Sequence, residues 1–205
     1  TENETPYSSS SWWFYGNFLL DGHNNGTYEN GTFSLQVFNS GRVRWTFGDG
    51  SAAGARNGDL HAVQSSSGTS IIDGQWHKIA CVRRWDGGTG SILELYVDGV
   101  QQDTETSTAR TNMATTYWDS WSGYPTNQEG WFFGAEKQAA LGSIEWADFK
   151  GYVCDVAFWS VARSSTDLTT NWNSSPIGSE SGLVGLYRHD EGSGVIVADD
   201  LLSGG

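Results

Sequence analysis

The stretch that most constrains this chain runs from Asp73 to Val100, DGQWHKIACVRRWDGGTGSILELYVDGV. Two apolar runs flank a turn built from Asp86, Gly87, Gly88, Thr89 and Gly90. In the first run an extended chain puts Trp76, Lys78, Ala80 and Val82 on one side and His77, Ile79, Cys81 and Arg83 on the other. The second run, Ile92 to Val97, closes on Asp98-Gly99, a tight-turn pair. Period-two runs around a glycine-rich loop read as an antiparallel hairpin. Apolar residues lie on both of its sides, which predicts a central place in a two-layer sheet structure.

The rest of the chain extends that pattern. With 205 residues it suits one all-β domain over 1–205, with a frayed polar segment at 1–10. Its 27 Gly and 11 Trp against 3 Pro fit short strands joined by tight turns. Strands are expected at 11–20, 32–38, 42–47, 59–64, 130–134 and 149–160, and closing strands between 183 and 199. A short helix is expected over 161–173, where Ser164 and Asp167 have capping-box spacing. No apolar window is long enough for membrane insertion. The net charge of −13 repels phosphate backbones and excludes nucleic acid as a partner; it fits solubility in an extracellular, secreted setting.

Three motifs carry a family likeness. Asp73-Gly74-Gln75-Trp76-His77 is followed by a strand, a turn and Leu95-Tyr96-Val97-Asp98-Gly99. Phe149 to Trp159 reads FKGYVCDVAFW, and Leu183 to Gly194 reads LVGLYRHDEGSG. Together they resemble the laminin-G-like / concanavalin-A-like jelly-roll family, in its pentraxin-like branch, from about Phe33 to Asp199. The resemblance implies an all-β, two-sheet antiparallel jelly-roll sandwich with one short helix, which binds glycans or protein surfaces. It does not by itself imply a reaction.

Relatives in this family often carry calcium, which takes carboxylate, amide and carbonyl oxygens. The run Gly134-Ala135-Glu136-Lys137-Gln138 stands where the pentraxin branch supplies ligands, and Lys137 argues against a paired-calcium site. One structural Ca2+ is the expected cofactor, with Asp21, Glu136 and Asp155 as its candidate ligands. Cys81 and Cys154 form one disulfide if their strands are neighbours, or stand as two buried thiols. Asn3, Asn25, Asn30 and Asn173 match the glycosylation acceptor pattern and are candidate sites if the source is eukaryotic.

Residues 104–130 break the strand rhythm with a long polar stretch bearing Tyr117, Trp118, Trp121 and Tyr124. Long irregular segments often carry function. Exposed aromatic rings stack on the apolar faces of sugars, and Asp119 and Asn127 offer partners for hydroxyls. Trp13, Trp45, Trp76 and Trp159 are assigned to the core. His77 reads as a satisfied strand residue. No E-x-D-x-E run, G-x-S-x-G elbow or H-E-x-x-H motif occurs, and Asp190-Glu191 precede a turn. The expected function is therefore non-catalytic, lectin-like recognition of extracellular carbohydrate. Two alternatives stay open. One is a structural or adhesive module of an extracellular filament or particle, with extracellular protein or copies of itself as partners. The other is a polysaccharide hydrolase or lyase.

Overall fold

The computed structural model describes residues 17–21, 33–38, 40–48, 60–88, 90–107, 132–134, 149–189 and 201. Ten strands and one helix are found among them: β1 (Asn17–Asp21), β2 (Phe33–Val37), β3 (Val43–Gly48), β4 (Leu60–Gln64), β5 (Ile79–Trp85), β6 (Ser91–Val97), β7 (Val100–Ser107), β8 (Phe132–Phe133), β9 (Val156–Trp159), α1 (Ser165–Thr170) and β10 (Leu183–Tyr187). They make a five-stranded sheet in the order β4-β3-β2-β1-β8, a three-stranded sheet β5-β6-β7 and a two-stranded sheet β10-β9. Every pairing is antiparallel.

The core lies between the first two sheets. Phe33, Val43, Trp45, Phe47 and Val63 from the five-stranded sheet meet Leu93, Leu95 and Val97 from β6 in one buried cluster. Alternation explains the choice: every second residue of β3 and of β6 points inward. Leu93 and Leu95 are fully buried, each contributing about 1.5–3 kcal/mol of transfer free energy. The result is the expected sandwich, with β6 as the middle strand of its sheet. The two-stranded sheet adds a ring cluster: Phe158 and Tyr187 lie 6.4 and 5.9 Å from Phe133 of β8, centroid to centroid.

The β6–β7 hairpin turns on Asp98 (φ 51) and Gly99 (φ 76), two consecutive left-handed residues. That is the geometry of a two-residue hairpin loop whose twist matches the strands. A Cβ on Gly99 would stand 2.7 to 2.9 Å from atoms of Trp172, so close packing also requires glycine there. Ser164 caps α1, its Oγ accepting from Asp167 N at 3.1 Å.

Three expectations are corrected. Residues 104–107 belong to β7, because Thr104 and Thr106 alternate with Glu105 and pair with Glu94 and Ile92 of β6. The strand expected over 149–160 is only Val156–Trp159; Asp155, with φ 50, leaves extended geometry just before it. Trp76 is not core: it sits before β5 in the 71–78 connection and is 66% exposed. Trp45 is buried as expected, and Trp159 is half-buried beneath Arg163, whose guanidinium lies 4.3 Å from the ring centroid. Trp13 lies outside the described residues.

Candidate functional site

The tip of the β5–β6 hairpin presents a fixed aromatic ring. Asp86 builds the turn: its carboxylate accepts from Gly88 N at 2.7 Å and from Gly90 N at 3.1 Å. Trp85 Nε1 donates to Gly88 O at 2.8 Å, so the indole is tied to that turn while 62% exposed. Trp85 pairs with Ser91, and Ser91 pairs with Ser107, the last residue of β7. Two strand spacings, about 10 Å, thus separate Trp85 from the point where the chain continues into the aromatic-rich stretch at residue 108. Beside it, Arg83 donates through Nε to Ser91 Oγ at 3.1 Å and lies over the Phe47 ring at 4.2 Å. Sequence reading left Trp85 unassigned between the first run and the turn; its signal was an aromatic residue directly before a glycine-rich loop.

The opposite end of the same sheet is held by His77. Its Nδ1 lies 2.7 Å from Asp98 Oδ2 and its Nε2 lies 2.9 Å from Asp73 Oδ1. A carboxylate only accepts, so donating to both requires the imidazolium. Burial works against the charged ring, but the hydrogen bonds to Asp73 and Asp98 outweigh it and raise the pKa above its ordinary 6.5. The bond to His77, with a second from Gln75 N, holds the Asp73 carboxyl below its ordinary 3.8. Asp98 also accepts from Lys78 N at 2.8 Å, so one carboxylate fixes both the left-handed turn and the entry to β5. This is a structural clamp joining the connection after β4 to the β6–β7 turn.

Carboxylates at catalytic spacing do occur. Asp103 and Glu105 are two apart on β7 and share the face of Leu93 and Leu95, a pattern the sequence reading missed. Both are committed to the edge of β4. Glu105 accepts from Ala62 N at 2.8 Å and meets His61 Nδ1 at 2.9 Å, and Asp103 accepts from Gln64 N at 3.0 Å. Gln102 continues the row, accepting from Thr69 Oγ1 at 2.7 Å. Unpaired edge N–H groups invite pairing with another chain, and these side chains occupy them.

Of the three expected metal ligands, the described residues contain two. Asp21 ends β1, fully buried beside Ser34, its register partner, whose Oγ lies 2.5 Å from Thr46 Oγ1. Asp155 accepts from Ser175 Oγ and stands 4.0 Å from Arg188 Nη1. A guanidinium at that distance competes with a cation for the same oxygen. Glu136 lies outside the described residues, and no group of three or more His, Cys, Asp or Glu with metal-binding geometry is found among the described ones. Cys81 and Cys154 are free thiols, which corrects the bridged expectation: Cys81 is on β5 and Cys154 precedes β9, and those strands belong to different sheets. Cys154 is exposed, while Cys81 pairs with the core residue Leu95 and burial pushes its thiol up. Asn173 is exposed in the turn after α1. Asn3, Asn25, Asn30, Tyr117, Trp118, Asp119, Trp121, Tyr124 and Asn127 lie outside the described residues, as do Asp190 and Glu191. Among the described residues no helix is long and apolar enough to cross a membrane.

Comparison with curated proteins finds no match, and comparison with solved structures finds none. A family model does match, over residues 5–169; it starts earlier than the likeness read from motifs and stops before β10. Facing antiparallel sheets, the Asp98-Gly99 hairpin and this match over most of the chain lead to one conclusion: the protein belongs to the concanavalin A-like lectin/glucanases superfamily, in its Laminin_G_3 family.

Proposed function

We propose that this domain is a non-catalytic, extracellular carbohydrate-recognition module whose binding surface is the hairpin end of the β5-β6-β7 sheet. The observation that carries the reading is Trp85: a ring 62% exposed yet hydrogen-bonded in place. A flat ring held in one orientation stacks on a sugar with little loss of side-chain freedom. The chain leaves β7 at Ser107, in the same row of residues, towards Tyr117, Trp118, Asp119, Trp121, Tyr124 and Asn127. In this reading those residues extend the platform and bind hydroxyls. The commitment of Asp103 and Glu105 to the β4 edge favours recognition over hydrolysis. One structural Ca2+ and glycans on the acceptor asparagines remain part of the proposal. The acidic surface fits an extracellular setting.

The test is a glycan array with the wild type, Trp85→Ala and the Trp118→Ala/Trp121→Ala pair. Loss of a stacking ring is expected to weaken binding about tenfold. Full retention of binding in both variants would refute the site. A second reading, protein contact or self-assembly, draws on the other end of the sheet, where exposed Trp172 packs on Gly99 of the Asp98-Gly99 turn, exposed Val100 follows it, and exposed Trp76 precedes His77, which bonds Asp98. Concentration-dependent association on sizing, abolished by Trp76→Ser, would favour it.

A further inference from the structure

Residues 149–189, which hold β9, α1 and β10, differ from the rest of the chain in charge. They carry Lys150, Arg163 and Arg188 against Asp155, Asp167 and Glu180, so the segment is neutral and the whole net charge of −13 falls on the remainder. They also carry five of the nine large apolar side chains exposed among the described residues: Tyr152, Val161, Trp172, Ile177 and Val184. Exposed apolar groups gathered on a folded domain mark contact surfaces. The loop after α1 is braced from several elements. Lys78 Nζ donates to Ser174 O at 2.6 Å, Ser175 Oγ donates to Asp155, and Arg188 Nη2 donates to Pro176 O at 3.0 Å. Glu180 accepts from Ile177 N at 2.8 Å and from Gly178 N at 2.9 Å. These bonds hold the backbone and leave the Ile177 side chain 77% exposed. An apolar group held out on a fixed loop loses little freedom when a partner covers it.

Tyr152 and Ile177 flank the Ser175–Asp155 bond, and Tyr152 is the most exposed of the apolar group at 87%. Chain reach keeps Tyr152 within about 11 Å of Asp155 and Ile177 within about 7 Å of Ser175. One interface of about 800 Å² per partner spans both. Charge decides the occupant. A basic partner is drawn to the acidic remainder rather than to a neutral segment. A patch of one sign repels its own copy, whereas balanced charges around apolar anchors are self-complementary, as a two-fold contact requires. We propose that residues 149–189 form the contact of a homodimer, with Ile177 and Tyr152 of each copy as its apolar anchors. The proposal rests on the self-association reading above and gives it a different surface, one that does not use Trp76.

Sedimentation velocity of the full chain from about 1 to 200 µM tests this, a range that resolves a micromolar dissociation constant. The wild type is expected to pass from monomer to dimer and to stop there, because a two-fold contact closes at two copies. Ile177→Glu and Tyr152→Glu, at exposed positions where folding is not at stake, are each expected to weaken the dimer at least about tenfold. Salt gives a second readout. The contact is neutral and the remainder repels, so raising NaCl from about 0.05 to 0.5 M is expected to strengthen dimerisation by screening that repulsion. A wild type that stays monomeric throughout, assembly beyond the dimer, a dimer weakened by salt, or a dimer untouched by both substitutions would overturn the proposal. Association abolished by Trp76→Ser and untouched by Ile177→Glu and Tyr152→Glu would overturn this face and leave the Asp98-Gly99 end as the contact; the reverse pattern sustains this face and removes that end.

Discussion

Replacing His77 by Gln should remove a pH dependence that the wild type carries. The ring is held between Asp73 and Asp98, at 2.9 and 2.7 Å, and both contacts require the charged form. Its folded pKa is raised above 6.5. A group of this kind stabilises fully below its unfolded pKa, and that stabilisation is lost as pH rises through the folded value. Asp73 acts in the other direction: its folded pKa is lowered from 3.8, so its contribution is present above that value and lost as pH falls through the folded one. The clamp is therefore strongest from about pH 4 to about pH 6.5 and weakens above. Asp73 is exposed, where solvent screens its charge. The bond to the partly buried Asp98 is worth on the order of 2 kcal/mol, as hydrogen bonds to charged groups are. In a domain of this size that corresponds to about 4–8 °C in Tm. Differential scanning calorimetry of wild type and His77→Gln between pH 5 and pH 9 reads it directly. The expected result is a Tm gap near pH 5.5 that closes on the alkaline side. The remaining histidines are present in both proteins, so the difference isolates His77. Equal gaps at every pH would refute the clamp.

Two further predictions rest on single contacts. Gly99→Ala places a methyl 2.7 Å from the Trp172 ring at a φ of +76, so it should cost about 2–4 kcal/mol, visible as a drop in the urea midpoint; an unchanged midpoint would show that Trp172 yields freely. Glu105→Ala uncovers Ala62 N and leaves His61 without its carboxylate contact, which should cost about 1–3 kcal/mol and promote association through the β4 edge. Sizing chromatography and thermal melts check both effects, and a monomer of wild-type stability would count against the capping role.

Much of the sandwich was legible in the sequence, because hairpins are local. The Asp98-Gly99 pair specifies its own left-handed turn, and alternation in Val43-x-Trp45-x-Phe47 and Leu93-x-Leu95-x-Val97 states which side is inward before any partner is known. The helix cap at Ser164 is equally local. The errors fell where a residue's environment comes from distant chain. Trp76 looked like core because indole is apolar, yet its place before β5 leaves it exposed. Residues 104–107 looked like loop because Thr and Glu are polar, yet β6 pairs with them and β4 draws Glu105 to its edge.

The same division holds for the candidate sites. Sequence determined that this is a β-sandwich with a surplus of aromatic residues, since period, turn chemistry and motif spacing act within a few residues; it read His77 as a strand residue, whereas the structure places it just before β5. Only the tertiary structure decided that Trp85 is pinned and exposed and that Asp103 and Glu105 are spent on an edge. Burial and hydrogen-bond partners are properties of what packs against a residue, and that is set by strands far away in the chain.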